Sequence, residues 1–288
     1  MVLETPVCSP IDKESSDDDV QLNKPPKKKR KLDVVYPSID KTSSSSSDVK
    51  PKVPPGHCGV KAIGSNRSDE LLAEVALHSY NSHTGTNLQL LTVNQVMLQS
   101  VAHINYHMIL DAFDPANNSL SSIEICLWDA AVKNNEKLRL VTTFCSLEGS
   151  GDKGSQWDPN GVDVLYTGVM PKWLDDGALS GSEKLHYYEV NDSDLQENKW
   201  LHLYAQVGAY SKWDLGMVKH FPLEIKKVVV QTMEDDIESN LKLKSSNAIF
   251  YITFTTSGGV ECACIIRQTR DGRPQHMCLE INNVEMDK

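Results

Sequence analysis

Hydrophobic positions recur at helical spacing soon after residue 68. Leu72, Val75 and Ala76 fall on one face of a chain that turns about every 3.6 residues. Ser68 has the side chain of an N-cap, and the two acidic residues that follow it complement the positive end of a helix dipole. The pattern predicts a helix over 68–81.

Alternating positions downstream predict four strands of one antiparallel sheet. The alternation is clearest where Ile123, Ile125 and Leu127 face one way and the residues between them face the other. The predicted strands are 88–93, 104–113, 123–128 and 138–144. Because the apolar face of a sheet must be covered, we expect the helix to pack on it.

The same order of elements returns about 130 to 145 residues further along the chain. Ser193 to Gln196 has the spacing of a capping box, and Trp200, Tyr204 and Val207 mark the helix after it. The strands predicted next are 223–233, 248–256, 260–268 and 275–282. The sequence therefore predicts an α+β fold with two tandem units, each built from one helix packed on a four-stranded antiparallel sheet.

Composition divides the chain into four parts. Residues 1–55 are rich in Ser, Asp, Lys and Pro and poor in aromatic residues, which predicts a disordered tail. The two units are expected over 57–148 and 187–288. The connecting segment 149–186 begins with Gly and Asp but becomes too apolar for a simple linker, so we expect it to pack on both units.

Charge and cysteine content argue against several classes of protein. The net charge is -10, whereas a nucleic-acid clamp needs a basic surface. Seven cysteines, an odd number, favour reduced thiols in the cytosol or nucleus over a disulfide framework. No apolar run reaches about 18 residues, and the first residues lack the apolar region of a secretion signal, so no membrane partner is expected.

One basic run stands inside the tail. Five successive cations follow a proline, an arrangement that resembles a monopartite nuclear import signal. Its residues are Pro26, Lys27, Lys28, Lys29, Arg30 and Lys31. The run predicts binding to an importin-type receptor and a location in the nucleus, with the cytoplasm as a further location. The alternatives are a solvated charge run and a nucleic-acid-binding arm, which the acidic flanks disfavour.

Residue types suited to a metal occur together near the end of the chain. Cys262, Cys264, His276 and Cys278 could supply four zinc ligands if their strands paired as a hairpin. Two thiols at i and i+2 on a strand are about 7 Å apart, too far for easy shared ligation, and small buried cysteines are the common alternative. We therefore expect no metal and no other cofactor. Since no pair of nucleophile and base has a known spacing, no enzyme is expected either.

The first unit resembles cystatins in two segments. Residues 71–81 are similar to the helix signature of plant cystatins. The place of the Gln-x-Val-x-Gly hairpin of that family is taken by Gln99, Ser100, Val101, Ala102 and His103. The resemblance implies a cystatin/monellin fold and a hairpin that wedges into the cleft of papain-like proteases.

The chain departs from the cystatin pattern where inhibition depends on it. His103 replaces the glycine that allows close backbone approach in the first hairpin. The segments 130–136 and 269–274 both lack the Pro-Trp pair of the second hairpin. Cysteine proteases are therefore not the expected partner.

The region over about 60–285 resembles an uncharacterised plant family that includes embryo-defective and maternal-effect embryo-arrest proteins. The segments that carry this resemblance are 78–81, 85–88, 170–174, 187–190, 200–204 and 241–248. The resemblance implies a plant source and a role in development, and it brings no established activity.

Together these observations predict a non-enzymatic nuclear protein that works through contacts with a further protein. One alternative is a cystatin-type inhibitor of cysteine proteases with a degenerate wedge, which would depend on the hairpin at Gln99 and Val101. The other is a transcription-linked or nucleic-acid-associated factor, which would depend on the basic run.

Replacing Lys28, Lys29 and Arg30 with alanine is expected to abolish nuclear accumulation of a fluorescent fusion, because an import receptor reads consecutive cations. The fusion must be too large to diffuse through nuclear pores, and imaging in plant cells gives the ratio of nuclear to cytoplasmic signal. Alanine at Lys13, Lys41 and Lys50, in the same tail, is the matched control. An unchanged ratio in the first variant would show that the run is not the import signal.

Overall fold

The computed structural model describes residues 60–63, 66–100, 102–151, 154–175, 177–180, 182–233 and 238–285, with the backbone alone for 60–63, 182–183 and 239–240. The tail predicted over 1–55, with its basic run, lies outside these residues. No helix in the described ranges is long and apolar enough to cross a membrane.

The first helix has a different N-cap from the one that the sequence predicts. Helix α1 spans Arg67–Thr84. The Asn66 Oδ1 accepts hydrogen bonds from the backbone N–H groups of Ser68 (2.8 Å) and Asp69 (3.2 Å), and the Asp69 carboxylate accepts one from the N–H of Asn66 (2.9 Å). This reciprocal capping box makes Asn66 the N-cap. The helix ends at Gly85, whose φ of 72° is left-handed, beyond the predicted end at 81.

Ten antiparallel strands form one sheet across the described residues. Their bounds are β1 Val60–Ile63, β2 Gln89–Ser100, β3 Ile104–Asp114, β4 Ser119–Asp129, β5 Leu138–Leu147, β6 Tyr187–Glu189, β7 Glu224–Gln231, β8 Ala248–Thr255, β9 Glu261–Thr269 and β10 Met277–Val284. Their order across the sheet is β1-β2-β3-β4-β5-β10-β9-β8-β7-β6. Each half thus has five strands instead of the predicted four. The additional strands, β1 and β6, lie at the two outer edges and are too short to show an alternating pattern in the sequence.

The second half begins with two helices where the sequence predicts one. Helix α2 spans Asp192–Glu197, and helix α3 spans Trp200–Trp213. The N-cap of α2 is Asn191, whose side chain accepts a hydrogen bond from the N–H of Asp194 (2.9 Å). Ser193 therefore lies inside the helix and does not cap it. The chain leaves the helical path at Asn198, between α2 and α3.

The two halves meet at the middle of the sheet, where β5 pairs with β10. Leu140 lies opposite Leu279, and both side chains are buried. Helices α1 and α3 pack on the same face of the sheet and contact each other there, with the rings of His78 and Trp200 stacked 4.9 Å apart. Burial, with a smaller contribution from Arg270, lowers the pKa of His78 to about 4, so this ring is neutral in the contact. One hydrophobic core therefore runs through both halves.

The connecting segment lies on the opposite face of the sheet. Tyr166 and Met170 pack against Val229, Ile249 and Tyr251, which are the outward residues of β7 and β8. Between Gly149 and Tyr187 the described residues form three short 3-10 turns and no strand. The N–H of Met170 also donates to the carbonyl of Asn134 in the turn between β4 and β5 (2.9 Å), so the segment contacts both halves.

A buried ion pair holds these three parts together. The Arg267 guanidinium of β9 lies 2.7 Å from the Glu280 carboxylate of β10, and both side chains are almost fully buried. Arg267 also donates to the carbonyl of Gly168 in the connecting segment (2.8 Å). From the first half, the Asn134 side chain donates to Glu280 (2.6 Å), and Arg139 of β5 lies 3.5 Å from it. We call these four side chains, Arg139, Arg267, Glu280 and Asn134, the seam cluster.

Glu280→Gln is expected to lower the free energy of unfolding by about 3–5 kcal/mol, because it leaves the Arg267 guanidinium buried without its counter-charge. Urea denaturation followed by circular dichroism measures the loss. Glu189→Gln is the matched control, since it removes the partner of Lys227 in a pair that is 2.9 Å long and about half exposed. Solvent screens that pair, so its loss should be much smaller. Equal small losses in both variants would contradict the role assigned to the seam cluster.

Candidate functional site

The outer face of the second half carries a cleft with three aromatic walls. Trp173 of the connecting segment, Tyr187 of β6 and Tyr251 of β8 line a space of about 540 Å³. Gln231 and Met233, at the end of β7, also line this space. We call this space the aromatic cleft. Tyr187 is half-buried there and packs against the apolar cluster of the outer face.

Hydrogen bonds and ring contacts fix the walls of the aromatic cleft. The Trp173 ring meets the Tyr251 ring edge to face, with centroids 5.7 Å apart and planes at 81°. The Tyr251 hydroxyl donates to the Gln231 side chain (2.8 Å), and burial, with Tyr187 nearby, raises the pKa of Tyr251, so the hydroxyl stays protonated. The Tyr166 hydroxyl accepts from the N–H of Met233 (2.8 Å). The cleft is therefore largely formed before any ligand arrives.

A second, smaller depression adjoins the aromatic cleft. Trp173 and Tyr251 also line this space of about 260 Å³, together with Val229 and Thr253. Because Trp173 borders both depressions, an extended chain could place successive side chains on either side of its ring. Exposed Lys172 and Asp175 give the rim charges of both signs. Aromatic walls combined with a few polar groups are typical of sites that bind a peptide or a small molecule.

The residues of the cystatin-like hairpin lie where β2 turns into β3. Gln99 and Ser100 end β2, and Ala102 and His103 lie in the turn, while Val101 is outside the described residues. The His103 ring packs against Trp128 of β4, with centroids 4.8 Å apart. His103, which stands where cystatins have a glycine, therefore contacts β4.

Three chain segments meet at this end of the first half. Val60, at the start of β1, pairs with Gln99. Since β2, β3, β4 and β5 form an antiparallel meander, the turn 130–137 lies at the same end as the turn 101–103. The Glu136 side chain accepts a hydrogen bond from the N–H of Lys133 (2.7 Å) and another from that of Asn134, which ties the 130–137 turn to itself.

The four residues considered for zinc do not come together. Cys264 lies opposite Asn283, whereas Cys278 lies opposite Thr269, so the two thiols are well separated along the hairpin of β9 and β10. They also face opposite sides of the sheet: Cys262 and Cys264 belong to the core beneath α3, and Cys278 belongs to the face of Glu280. Within the described ranges no three His, Cys, Asp or Glu residues are placed to hold a metal ion.

The surroundings of these side chains are those of buried groups. Burial raises the pKa of Cys264 and of Cys278 to about 12, so both thiols are protonated in the chain without a metal. His276 has both ring nitrogens within hydrogen-bond distance of other side chains, those of Asp271 and Ser155. No local sequence pattern indicates this last group, because Ser155 and His276 are 121 residues apart in the chain.

Comparison with known proteins finds relatives that share one family name. The chain is 96% identical to UPF0725 protein At2g20620 of Arabidopsis thaliana, and the alignment covers all of both chains. It is 36% identical to UPF0725 protein At4g29550 of the same plant, over 88% of this chain and 77% of that one. The family described as Protein MS5 matches residues 170–279.

A solved structure shares the fold. The crystal structure of MS5 from Brassica napus superposes with a TM-score of 0.57 and 24% sequence identity, and it covers 75% of this chain and 97% of that one. The resemblance to an uncharacterised plant family is confirmed by these relatives, and none of their names states an enzymatic activity. The chain belongs to the UPF0725 family of plant proteins.

Proposed function

We propose that this chain is a nuclear protein that acts in plant development by binding another protein, without turning over a substrate. The observation that carries the proposal is the aromatic cleft, where Trp173 stands between two adjoining depressions. Aromatic side chains in a largely formed cleft supply much contact area at a small cost in conformational entropy, and such residues dominate the energy of many protein interfaces.

Two cystatin-like units are the proposed origin of the fold. The order of one short strand, helix and four longer strands occurs in both halves, and the helices cover the same face of one sheet. The cystatin resemblance of residues 71–81 and 99–103 supports the assignment for the first half. In this proposal the duplicated sheets joined through β5 and β10, and the connecting segment added a binding site to the outer face.

The nuclear location rests on the basic run at 26–31. Acid residues surround that run in the sequence, and the net charge of the chain is -10. These charges disfavour nucleic acid as the partner, because a backbone of phosphates requires a basic surface. An importin-type receptor and a protein partner of the folded part are therefore the proposed contacts.

Cysteine-protease inhibition is the second candidate function. It is favoured by the start of β1 and the turns at 101–103 and 130–137, which share one end of the sheet as the parts of a wedge would. It is disfavoured by His103, whose ring occupies the turn and packs on Trp128. Titration of papain with the full chain separates the two functions, since only the second predicts tight inhibition that depends on Gln99.

Trp173→Ala is expected to reduce recovery of the specific partner by at least about tenfold, because truncating a central aromatic residue commonly costs 2 kcal/mol or more of binding energy. Partners can be identified by proximity labelling in plant nuclei and compared quantitatively between the wild-type chain and the variant. Leu165→Ala is the matched control, since this exposed apolar residue belongs to the same segment but does not line the cleft.

Recovery of the same proteins at the same level with Trp173→Ala would contradict a binding role for the aromatic cleft. Circular dichroism of both variants checks that the fold is retained, so that a loss of binding can be assigned to the cleft. Loss of the partner in both variants would also count against the proposal, because it would show that the contact is not confined to this surface.

A further inference from the structure

Three side chains from two distant parts of the chain form a continuous series of hydrogen bonds beside the hairpin of β9 and β10. The Ser155 Oγ lies 3.0 Å from the Nε2 of His276. The Nδ1 of His276 lies 2.8 Å from the Oδ2 of Asp271. Ser155 belongs to the connecting segment, and the other two residues flank the turn that leads into β10.

Backbone N–H donors surround the buried carboxylate of Asp271. Its side chain is fully buried (0% exposed). Its Oδ2 also accepts from the N–H of Asp158 (2.9 Å), and its Oδ1 accepts from the N–H of Arg273 (3.1 Å). These two backbone N–H groups hold the carboxylate in place, with its Oδ2 turned toward the imidazole as an acceptor. With Nδ1 as the donor to Asp271, Nε2 of His276 is the acceptor for the hydrogen of the Ser155 hydroxyl.

The imidazole is held in place, whereas the serine is accessible. His276 is 1% exposed. The Trp157 ring lies nearly parallel to the imidazole, with centroids 6.1 Å apart. The backbone carbonyl of His276 accepts a hydrogen bond from the Arg270 guanidinium (3.0 Å). Ser155 is exposed. A fixed base next to an exposed hydroxyl is the arrangement that activates a serine nucleophile.

We propose that Ser155 is an activated nucleophile that is acylated by small activated esters, with His276 as the base and Asp271 as its positioning residue. The Ser155 Oγ forms a bond to the acyl carbon as its proton passes to the Nε2 of His276. The bond from the acyl carbon to the leaving alkoxide then breaks, and the alkoxide takes that proton. The products are one alcohol and an ester on Ser155.

This reaction goes beyond the binding function proposed above and is independent of it. Ser155 lines neither the aromatic cleft nor the depression beside it, so the two sites are separate. Because Ser155 is exposed, a small activated ester can reach its hydroxyl from solvent. A covalent modification of one serine requires one turnover only, which is compatible with a protein that otherwise acts by binding.

An alkyl fluorophosphonate probe tests the proposal, because a serine nucleophile displaces its fluoride and forms a phosphonate ester. The full chain is incubated with the probe, and mass spectrometry gives the number and position of adducts. One adduct is expected, on Ser155. His276→Gln is expected to slow its formation by about 100-fold or more, which is the range that a general base supplies. Asp271→Asn is expected to slow it as well, because it disturbs the proton position on the ring.

The controls separate an activated serine from a merely structural contact. Ser155→Ala, at an exposed position, should keep the fold and lose the adduct. Ser180→Ala should label as fast as the wild-type chain, since this exposed serine donates to the carbonyl of Gly177 (3.2 Å). If His276→Gln or Asp271→Asn fails to fold, the wild-type chain unfolded in urea serves as the comparison. It should react with the probe at least tenfold more slowly than the native chain. The proposal is overturned by an absent adduct, by an adduct elsewhere, or by equal labelling rates in native and unfolded chain.

Discussion

The buried carboxylate of Glu280 is the point on which the arrangement of the described structure depends. It lies on the central strand β10, and it is reached by Arg267 from β9, by Arg139 from β5 and by Asn134 from the turn 130–137. Removing these charges from water costs free energy, and their mutual attraction offsets that cost only when the geometry is good. The pairing of β5 with β10 could be replaced by other edge pairings of two similar sheets. We infer that the seam cluster favours this pairing over the others.

The position of the connecting segment follows from the same cluster. Arg267 donates to the carbonyl of Gly168, so the segment is attached to the outer face close to the seam. From that attachment, residues after 168 run over β7 and β8 and bring Trp173 to Tyr251. Residues before 168 run past the turn of β9 and β10 and bring Ser155 to His276. The aromatic cleft and the reactive serine therefore both depend on a segment that the seam cluster holds.

Much of the fold could be predicted because its signals are local. The buried residues Ile123, Ile125 and Leu127 alternate in sequence as they do in β4. Helix ends were predicted less well: Asn66 and Ser68 both have capping side chains, and only the three-dimensional contacts decide between them. Strands β1 and β6 have four and three residues, too few for a period to emerge.

The sites could not be predicted, since they combine residues that are distant in the sequence. The series Ser155, His276 and Asp271 joins positions that are 121 and 5 residues apart, and none of them stands in a motif. The Cys-x-Cys and His-x-Cys patterns contain zinc-type ligands, for which the sequence predicts no metal; the register of β9 and β10 and the two faces of the sheet separate the thiols. Register is set by packing across the whole sheet and has no local signature here.

Native-state hydrogen exchange tests most directly whether the two halves form one cooperative body. The protein is exchanged across a series of low urea concentrations, and the opening free energy is obtained for amides of β3 and β5 in the first half and of β8 and β10 in the second. If the two halves form one cooperative body, the slowest amides of all four strands exchange only through global unfolding. Their opening free energies, and the dependence of those free energies on urea, are then the same. A half whose slowest amides exchange at a distinctly lower free energy, while the other half stays protected, would contradict the account.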